Sequence, residues 1–519
     1  MQFITTTPLF YVNAAPHMGS AYPTIAVDAL TRYYRLCARA ERVLMVTGSD
    51  EHGEKIATTA EKQGLQPQVH CDRIVDEFKL LWQKLDITYD RFIRTTDPRH
   101  ERIVREFFQR VWDRGDIYKA RYEGLYCVDC EEFKDPKDLL PENRCDIHRK
   151  PVVARSEENY FFALARYQEK LEDHFARHPD FVQPEVRRNE VLGWVKEGLR
   201  DFSISRAQVT WGIPIPTDPA QTVYVWFDAL LGYVTALLEP QDEPTLENAL
   251  SRGWPAQLHV IGKDILRFHA VYWPAMLLSA GLPLPERVFG HGYLTKDGLK
   301  MGKSLGNVLD PHQLVDRYGA DAVRYYFLKT IEFGKDGDFA HKRFIDTLNA
   351  DLANDLGNLL NRTLGLLRKN CNNLAPCVPV PEDNLLRLNV ADMVGKAQMS
   401  YEALDFTRAC EAALEIARTG NSYVALEEPW TLFKKDQREK AEQVLYTVLE
   451  AARIAAVILS PITPRLSARL YAQLGFSPEA LAQVRWQAGT QWGGLPGGQQ
   501  VAEAQPIFPR LEYNEEDAL

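Results

Sequence analysis

Four residues of zinc-binding types stand in two close pairs within the first third of the chain. Cys127 and Cys130 are separated by two residues, and Cys145 and His148 repeat that spacing further along. Thiolates and an imidazole in two such pairs can take the four corners of the tetrahedron that Zn²⁺ prefers. Because protein fills all four positions, none is left for water. The sequence therefore predicts one structural zinc, and the alternative is a polar loop that binds no metal.

A histidine and a glycine stand where a helical pattern begins near the N-terminus. In "YVNAAPHMGSAYPTIAVDAL" these are His17 and Gly19. The first N–H groups of a helix and its dipole favour anions, so the pair indicates a phosphate or nucleotide site. The alternative is a surface turn with an incidental histidine. A second anion candidate is "LKMGKSLGN", where Lys300 and Lys303 flank a glycine; such a loop is otherwise only solvated.

The elements around these residues follow an α/β pattern. "FITTTPLF" is β-branched and aromatic, "TIAVDALTRYYRL" has helical spacing, and "RVLMVTGSDEHG" is an apolar run that ends in a polar loop. Strand-like runs return in "TVYVWFDALLGY", "QLHVIGKDILRFHA" and "RVFGHGYLTKDGLKMGKSLGN". This alternation predicts a parallel sheet whose ligands bind beyond the carboxyl ends of its strands.

An irregular, cysteine-bearing stretch separates the two α/β regions, and helical spacing dominates after about Phe339. We therefore expect a Rossmann-like parallel-sheet domain split by a zinc-knuckle insertion and followed by an all-α helical bundle. The glycine-rich stretch "GGLPGGQQVAEAQ" predicts a linker. The expected boundaries are residues 1–117 and 204–338 for the two halves, 118–203 for the insertion, 339–480 for the bundle, and 481–519 for the linker and tail.

The composition is that of an ordinary globular chain. Of the 519 residues, 45% are hydrophobic and 25% are charged, and no apolar run approaches the length of a membrane span. The start, "MQFITTTPLF", lacks the features of a secretory signal, so we expect a cytoplasmic protein with no membrane partner. The formal charge of −10 disfavours extensive nucleic-acid binding but leaves room for a local basic patch. Eight cysteines in so long a chain do not indicate a disulfide scaffold.

The early "HMGS" and the late "KMGKS" together resemble the HIGH and KMSKS signatures of class I aminoacyl-tRNA synthetases. With "TGSDEHG", "YVWFDALLGY", "IGKDI" and the zinc knuckle, the chain is similar to the methionyl-tRNA synthetase family, in its bacterial type with one knuckle. The resemblance extends over residues 3–476. The chain departs from the signatures at Ser20, where the family has a second histidine, and at Gly302, where it usually has serine.

This resemblance implies ligation of methionine to tRNA(Met) at the expense of ATP. The carboxylate of methionine attacks the α-phosphorus of ATP, and the terminal ribose of the tRNA then accepts the methionyl group from methionyl-adenylate. The resemblance implies catalytic, ATP-binding roles for His17, Gly19, Lys300 and Lys303, with Mg²⁺ on the pyrophosphate oxygens. Asp264 in "IGKDI" is expected near the ribose.

The resemblance also implies a methionine site. Asp50 matches the carboxylate that receives the α-ammonium, and its alternative role is a helix N-cap. The residues that match the side-chain pocket are Leu9, Tyr11, Trp226, Ala229, Tyr233 and His291. One methylene changes binding by only about 10–200-fold, so we expect partial activation of homocysteine.

In the helical region, "DLGNLLNRT" and "EEPWTLFKK" resemble the family's anticodon-reading elements. Asn358 and Arg362 are one helical turn apart and can reach base edges together. Trp430 offers a stacking face for an unpaired base, although a tryptophan after proline is otherwise usually core. We recognise no further oligonucleotide-binding module after this region, so we expect a monomer.

Three other interpretations remain open. One is another class I synthetase, such as the cysteine enzyme, in which the zinc would be a substrate ligand. The second is a non-catalytic RNA-binding or zinc-scaffold protein descended from a synthetase, which the presence of His17 and Lys303 disfavours. The third is a small-molecule nucleotidyltransferase, which the long helical region disfavours.

Overall fold

A parallel sheet organises the N-terminal part of the chain in the computed structural model, which describes residues 2–128, 132–134, 136, 139–145, 149–301 and 308–514. Three strands and four helices form the first half. They are β1 (Gln2–Tyr11), α1 (Met18–Cys37), β2 (Arg42–Asp50), α2 (Glu54–Lys62), α3 (Pro67–Lys84), β3 (Arg91–Arg94) and α4 (Pro98–Asp113).

The chain then leaves this sheet for a mainly antiparallel insertion. Its long pair of strands is in register from Ile117 opposite Phe162 to Tyr126 opposite Val153. The elements of this region are β4 (Ile117–Cys127), β5 (Glu132–Lys134), β6 (Leu139–Leu140), β7 (Arg144–Cys145), β8 (Val153–Phe162), α5 (Gln168–Arg177), β9 (Val182–Gln183), α6 (Glu185–Lys196) and β10 (Phe202–Ser203).

The second half of the α/β region returns to the parallel sheet after a small antiparallel one. Its elements are β11 (Ser205–Arg206), β12 (Pro214–Ile215), β13 (Asp218–Val223), α7 (Val225–Ala229), α8 (Gly232–Thr235), α9 (Leu246–Ser251), β14 (Leu258–Gly262), α10 (Trp273–Ala280), β15 (Val288–His291), β16 (Leu294–Lys296), β17 (Leu299–Lys300), α11 (Pro311–Tyr318), α12 (Ala320–Thr330) and β18 (Gly337–Phe339).

The six strands of the parallel sheet run in the order β3-β2-β1-β14-β15-β9. Strand β1 therefore pairs with β2 of the first half on one edge and with β14 of the second half on the other. Such a change of direction in strand order opens a crevice beyond the strand ends. The edge strand β9 lies inside the range expected for the insertion, so the chain visits the parallel sheet once before the insertion is complete.

The run "TVYVWFDALLGY" differs from the strand expected there. Strand β13 ends at Val223, and the short helices α7 and α8 follow. Nearly every residue of these helices is buried, so the run shows no alternation of apolar and polar positions. Periodicity alone cannot distinguish a buried strand from a buried helix in such a run.

Helices form the rest of the chain. They are α13 (His341–Leu348), a π-helical turn (Asn349–Leu356), α14 (Gly357–Asn370), α15 (Leu385–Glu402), α16 (Phe406–Glu427), α17 (Pro429–Lys434), α18 (Arg438–Leu459), α19 (Pro464–Gln473), α20 (Ala480–Gln483) and α21 (Trp486–Thr490). None of the helices in the described part of the chain is both long enough and apolar enough to cross a membrane.

The glycine-rich stretch expected to be a linker is instead packed against the helices. The carboxylate of Glu450 on α18 accepts hydrogen bonds from the backbone N–H groups of Gly493, Gly494 and Leu495 at 2.7–3.0 Å. Arg453 pairs with the same carboxylate at 2.7 Å, and both side chains are buried. The glycine content predicts a linker, but it does not indicate that a carboxylate more than forty positions earlier binds this segment.

A buried ion pair joins the α/β region to the helices. The Arg324 guanidinium of α12 lies 2.6 Å from the Asp28 carboxylate of α1, and both side chains are fully buried. Arg324 also donates to the carbonyl oxygens of Pro461 and Ile462 at 2.9 and 2.8 Å. Burial acts to raise the pKa of Asp28, but Arg324 and Arg32 hold it below its usual range. The pair therefore stays ionised at neutral pH.

Replacing Arg324 with Met should destabilise the chain by about 3–5 kcal/mol, because it leaves the Asp28 carboxylate buried without its main counter-charge. We expect the melting temperature to fall by several degrees. Lys342→Met is the control, because Lys342 pairs with Asp346 on the solvent-exposed surface of α13. That variant should melt like the unmodified chain. Equal melting temperatures for the two variants would contradict the role given to Arg324.

Candidate active site

One cavity of about 520 Å³ opens beyond the carboxyl ends of β2, β1, β14 and β15. Its volume lies within the range of small-molecule sites, and its position is the crevice where ligands of parallel α/β sheets bind. The predicted site residues on its wall are Leu9, Tyr11, His17, Gly19, Asp50, Trp226, Asp264 and His291. The fold therefore brings together residues that are up to 282 positions apart, from Leu9 to His291.

His17 is the N-cap of α1 and lies at the mouth of the cavity. Its backbone is extended, and its ring nitrogen Nδ1 accepts a hydrogen bond from the Gly19 N–H at 3.0 Å. A Cβ at Gly19 would lie 2.7 Å from Cε1 of the ring, so this cap needs glycine two residues on. Because Nδ1 accepts, Nε2 carries the proton and can donate to an anion. Ser20 is buried on the cavity wall and is not the cap residue.

Asp50 is the last residue of β2, opposite Tyr11 of β1. Its side chain is almost fully buried on the cavity wall. The alternative role of Asp50 as a helix cap is wrong, because the next helix, α2, begins at Glu54 and is preceded by Gly53. A nearly buried carboxylate in a mostly apolar cavity is suited to bind a cationic group.

Aromatic groups form another part of the wall. The Trp226 ring stacks on Phe268 at a centroid distance of 4.1 Å, which fixes its orientation toward the cavity. Burial lowers the pKa of His291, so the ring is neutral near pH 7. Its Nδ1 donates to the Gly292 carbonyl at 2.8 Å, which leaves Nε2 as an acceptor. A Cβ at Gly262 would lie 2.4 Å from Oδ1 of Asp264, so glycine makes room for that carboxylate.

Two of the residues expected in the pocket, Ala229 and Tyr233, are not on the cavity wall. Both are buried, and the Tyr233 hydroxyl lies 2.8 Å from Nε2 of His269. The Leu9 side chain packs against α8, the helix that carries Tyr233, since a Cβ at Gly232 would lie 2.5 Å from Cδ1 of Leu9. These residues therefore support the wall from behind.

The cavity wall includes a cation that the sequence analysis missed, Lys55 near the start of α2. The only feature of the sequence that could indicate a role for Lys55 is its position in the first turn of the helix that follows β2. A lysine there is ordinarily a solvated residue, so only the closure of the cavity identifies it. Lys55 and His17 give the cavity two groups that can donate to an anion.

Several predicted site residues lie wholly or partly outside the described residues. The side chain of Lys300 and all of Lys303 and Gly302 are among them, as are Cys130 and His148. The other two predicted zinc ligands, Cys127 and Cys145, end β4 and β7 and are buried. Within the described part of the chain, no group of three or more His, Cys, Asp or Glu side chains could hold a metal ion.

The predicted anticodon residues lie together on the helical part. Asn358 and Arg362 are exposed on α14, and Trp430 of α17 is half-buried. The Arg362 guanidinium lies over the Trp430 ring, 4.5 Å from its centroid. The two helices therefore present a cation and an indole face at one place on the surface.

A family model described as "tRNA synthetases class I (M)" matches residues 3–139 and 134–364, and the sheet and the cavity beyond its strands lie in this part of the chain. These observations define the class as class I tRNA synthetases. A second model, described as the anticodon binding domain of methionyl tRNA ligase, matches residues 377–519. The chain belongs to the methionyl-tRNA synthetase family.

Known relatives cover almost the whole chain. The chloroplastic/mitochondrial methionine–tRNA ligase of Arabidopsis thaliana is 57% identical over 99% of this chain and 84% of its own length. The methionine–tRNA ligase of a Nostoc species is 57% identical over 98% of this chain and 97% of its own. The structure of Mycobacterium tuberculosis methionyl-tRNA synthetase in complex with methionyl-adenylate is similar, with a TM-score of 0.92 and 38% identity, covering 98% of this chain and 100% of that one.

Proposed function

We propose that the chain is a methionine–tRNA ligase, which forms methionyl-adenylate from methionine and ATP and then transfers the methionyl group to tRNA(Met). The observation that carries this proposal is the cavity at the junction of β1 and β14. Its wall carries an almost buried carboxylate, Asp50, together with the aromatic Trp226 and with His17, whose Nε2 can donate to an anion. The names of the relatives and the methionyl-adenylate in a similar structure support it.

Activation needs neutralisation of charge on the phosphates rather than a covalent intermediate on the protein. His17 donates from Nε2 toward the phosphates, and the N–H groups at the start of α1 add positive potential there. Lys55 supplies a cation from α2, and Lys300 and Lys303 of "KMGKS" supply two more. Mg²⁺ bound with ATP would neutralise the pyrophosphate oxygens.

Methionine binds by its two ends. The α-ammonium lies against the Asp50 carboxylate, and the thioether side chain lies among Leu9, Tyr11 and Trp226. The acceptor Nε2 of His291 bounds this region, and Asp264 lies close by for the ribose hydroxyls of ATP. Ala229 and Tyr233 act by supporting this wall.

The helical part reads the anticodon through Asn358, Arg362 and Trp430. Arg362 already covers one face of the indole, so a base stacks on the other face or replaces the guanidinium. Unpaired bases stacked on aromatic side chains are the usual mode of sequence-specific RNA recognition.

Cys127, Cys130, Cys145 and His148 of the insertion would hold one structural zinc. The described residues fit a thiolate set: Cys127 and Cys145 are buried, but neither belongs to a hydrophobic cluster of the described chain. Cys145 follows four exposed residues, 141–144, so its burial is local. The zinc would cross-link a segment that has too little apolar content to fold alone.

The domain boundaries remain a proposal: two catalytic halves over 1–117 and 204–338, an insertion over 118–203, a bundle over 339–480, and a tail over 481–519. The start of the helices at His341 and the sheet strands before 118 and after 203 support it, with β9 as the exception. The monomeric state and the cytoplasmic location remain predictions from the sequence.

ATP–pyrophosphate exchange screened over all twenty amino acids tests the proposed function. We expect exchange with methionine and weaker exchange with homocysteine. Exchange with cysteine instead would indicate the rival class I enzyme. No exchange with any amino acid would favour a non-catalytic protein.

Asp50→Asn should abolish methionine-dependent exchange, because the bound ammonium loses its charge partner while the shape of the wall is kept. Asp76→Asn is the control, since Asp76 is exposed on α3 and does not line the cavity. We expect the control to exchange at the normal rate. Near-normal exchange by Asp50→Asn would remove Asp50 from the methionine site.

Trp430→Ala should weaken tRNA aminoacylation by the roughly 1–3 kcal/mol of one base stack, while tRNA-independent exchange stays intact. Trp492 is a matched control, because it is also half-buried and the Arg387 guanidinium lies 5.9 Å from its ring centroid. Trp492→Ala should leave aminoacylation unchanged. A loss of both activities in Trp430→Ala would assign Trp430 to core packing.

Metal analysis of the purified chain should find about one zinc per chain, as four protein ligands imply. Cys145→Ser should lose this zinc, whereas the exposed Cys377→Ser should retain it. Unchanged zinc content in Cys145→Ser, or no zinc in the unmodified chain, would refute the site.

A further inference from the structure

A buried carboxylate joins the two ends of the proposed methionine site. Asp228 stands two residues after Trp226 on α7 and is fully buried. Its Oδ2 lies 2.7 Å from Nδ1 of His52, and its Oδ1 lies 2.7 Å from Nε2 of His100. Both imidazoles therefore donate to one carboxylate. The roles proposed above use none of these three side chains.

The first imidazole belongs to the turn that follows Asp50. His52 is two residues beyond Asp50, between β2 and α2. On its other side the turn is held by Trp211, whose Nε1 donates to the Glu51 carbonyl at 2.6 Å and whose carbonyl accepts from the Gly53 N–H at 3.0 Å. The Trp211 ring meets the His52 ring edge-on at 5.6 Å. The position of Asp50 is thus tied to that of Asp228.

The second imidazole anchors the carboxylate to the body of the domain. His100 lies on α4 and is fully buried, and its Nδ1 is 2.9 Å from Oγ1 of Thr235 on α8. Asp228 therefore connects α7, α4, α8 and the turn after β2. A carboxylate that only filled space would not need an imidazole donor on each of its two oxygens.

The carboxylate at the centre of the network is ionised. Burial acts to raise the pKa of Asp228, but His52 and His100 hold it below its usual range. Burial acts to lower the pKa of His52, but the Asp228 carboxylate raises it above its usual range, with smaller contributions from Glu101 and Glu51. Hydrogen bonds that an ionised carboxylate accepts are shorter and stronger than neutral ones. They resist displacement of the elements that carry them.

We propose that Asp228 is a positioning residue that sets the separation between the Asp50 carboxylate and the Trp226 wall, and so the length of the amino-acid side chain that the site accepts. This inference rests on the proposed function, because methionine would span these two groups. A difference of one methylene in such a pocket is worth only about 10–200-fold, so a small change in separation alters the choice of substrate.

Asp228→Asn in the full chain tests the proposal. The asparagine keeps the shape of the side chain, but it removes the negative charge and replaces one of the two acceptor oxygens with a donor. We expect the KM for methionine to rise more than kcat falls, with kcat/KM lower by about a hundredfold. The ratio of kcat/KM for methionine to kcat/KM for homocysteine or ethionine should become smaller. Equilibrium binding of methionine, followed by tryptophan fluorescence, should weaken in parallel with KM.

Asp116→Asn is the matched control. Asp116 is also a nearly buried carboxylate, which accepts from the hydroxyls of Tyr167 and Ser279 at 2.5 and 2.7 Å, and it does not line the cavity. Both variants should lower the melting temperature, but only Asp228→Asn should change KM and amino-acid preference. If both variants lost stability but kept the KM for methionine and the amino-acid preference, the network would have only a packing role.

A second pair of variants decides the matter if Asp228→Asn does not fold. The amide nitrogen of His52→Asn can donate from near the place of Nδ1, whereas His52→Ala cannot donate. We expect the asparagine to keep the preference for methionine and the alanine to lose part of it; equal preference in both would overturn the proposal. An unmodified chain without methionine-dependent exchange would overturn the proposed function instead.

Discussion

Strand β1 pairs in parallel on both edges, with β2 from its own half of the chain and with β14 from the other half. Every part of the site depends on this pairing, because it brings the carboxyl ends of β2, β1, β14 and β15 to one edge of the sheet. The start of α1, the end of β2 at Asp50 and the turn at Gly262 then face a common crevice. The cavity is a consequence of strand order, and its chemistry is a consequence of which residues end the strands.

Buried carboxylates with several donors join separate elements throughout the structure. Asp28 pairs with Arg324 where α1 meets α12, and Asp228 joins α7 to the turn after β2. Glu450 accepts three backbone N–H groups of the C-terminal segment beside Arg453. Desolvating such groups is costly, so each is retained only with a full set of partners. Each of them also connects segments that are far apart in the sequence.

Short-range chemistry made part of this structure predictable. "PHMGS" marks the start of α1 because the histidine cap, the glycine and the helical spacing are neighbours in sequence. The end of β2 at Asp50 is predictable from the sequence for the same reason. Three features could not be predicted from the sequence, because partners far away in the chain determine each of them. They are the helices α7 and α8, the edge strand β9 and the packing of the C-terminal segment. Lys55 and Asp228 belong to this second group: a lysine in a helix and an aspartate in an apolar run reveal their surroundings only in the fold.

The same pairing of β1 constrains how the chain can be synthesised and folded. Thr6 of β1 and His259 of β14 bond to each other across 253 positions, so one edge of the first strand stays open until half of the polypeptide has left the ribosome. β2 and β3 can join β1 early, but they cover only its other edge. An open strand edge is a template for pairing with other chains. The nascent N-terminal half is therefore a stage at which one edge of β1 stays unpaired, and slow synthesis of residues 118–257 prolongs that stage.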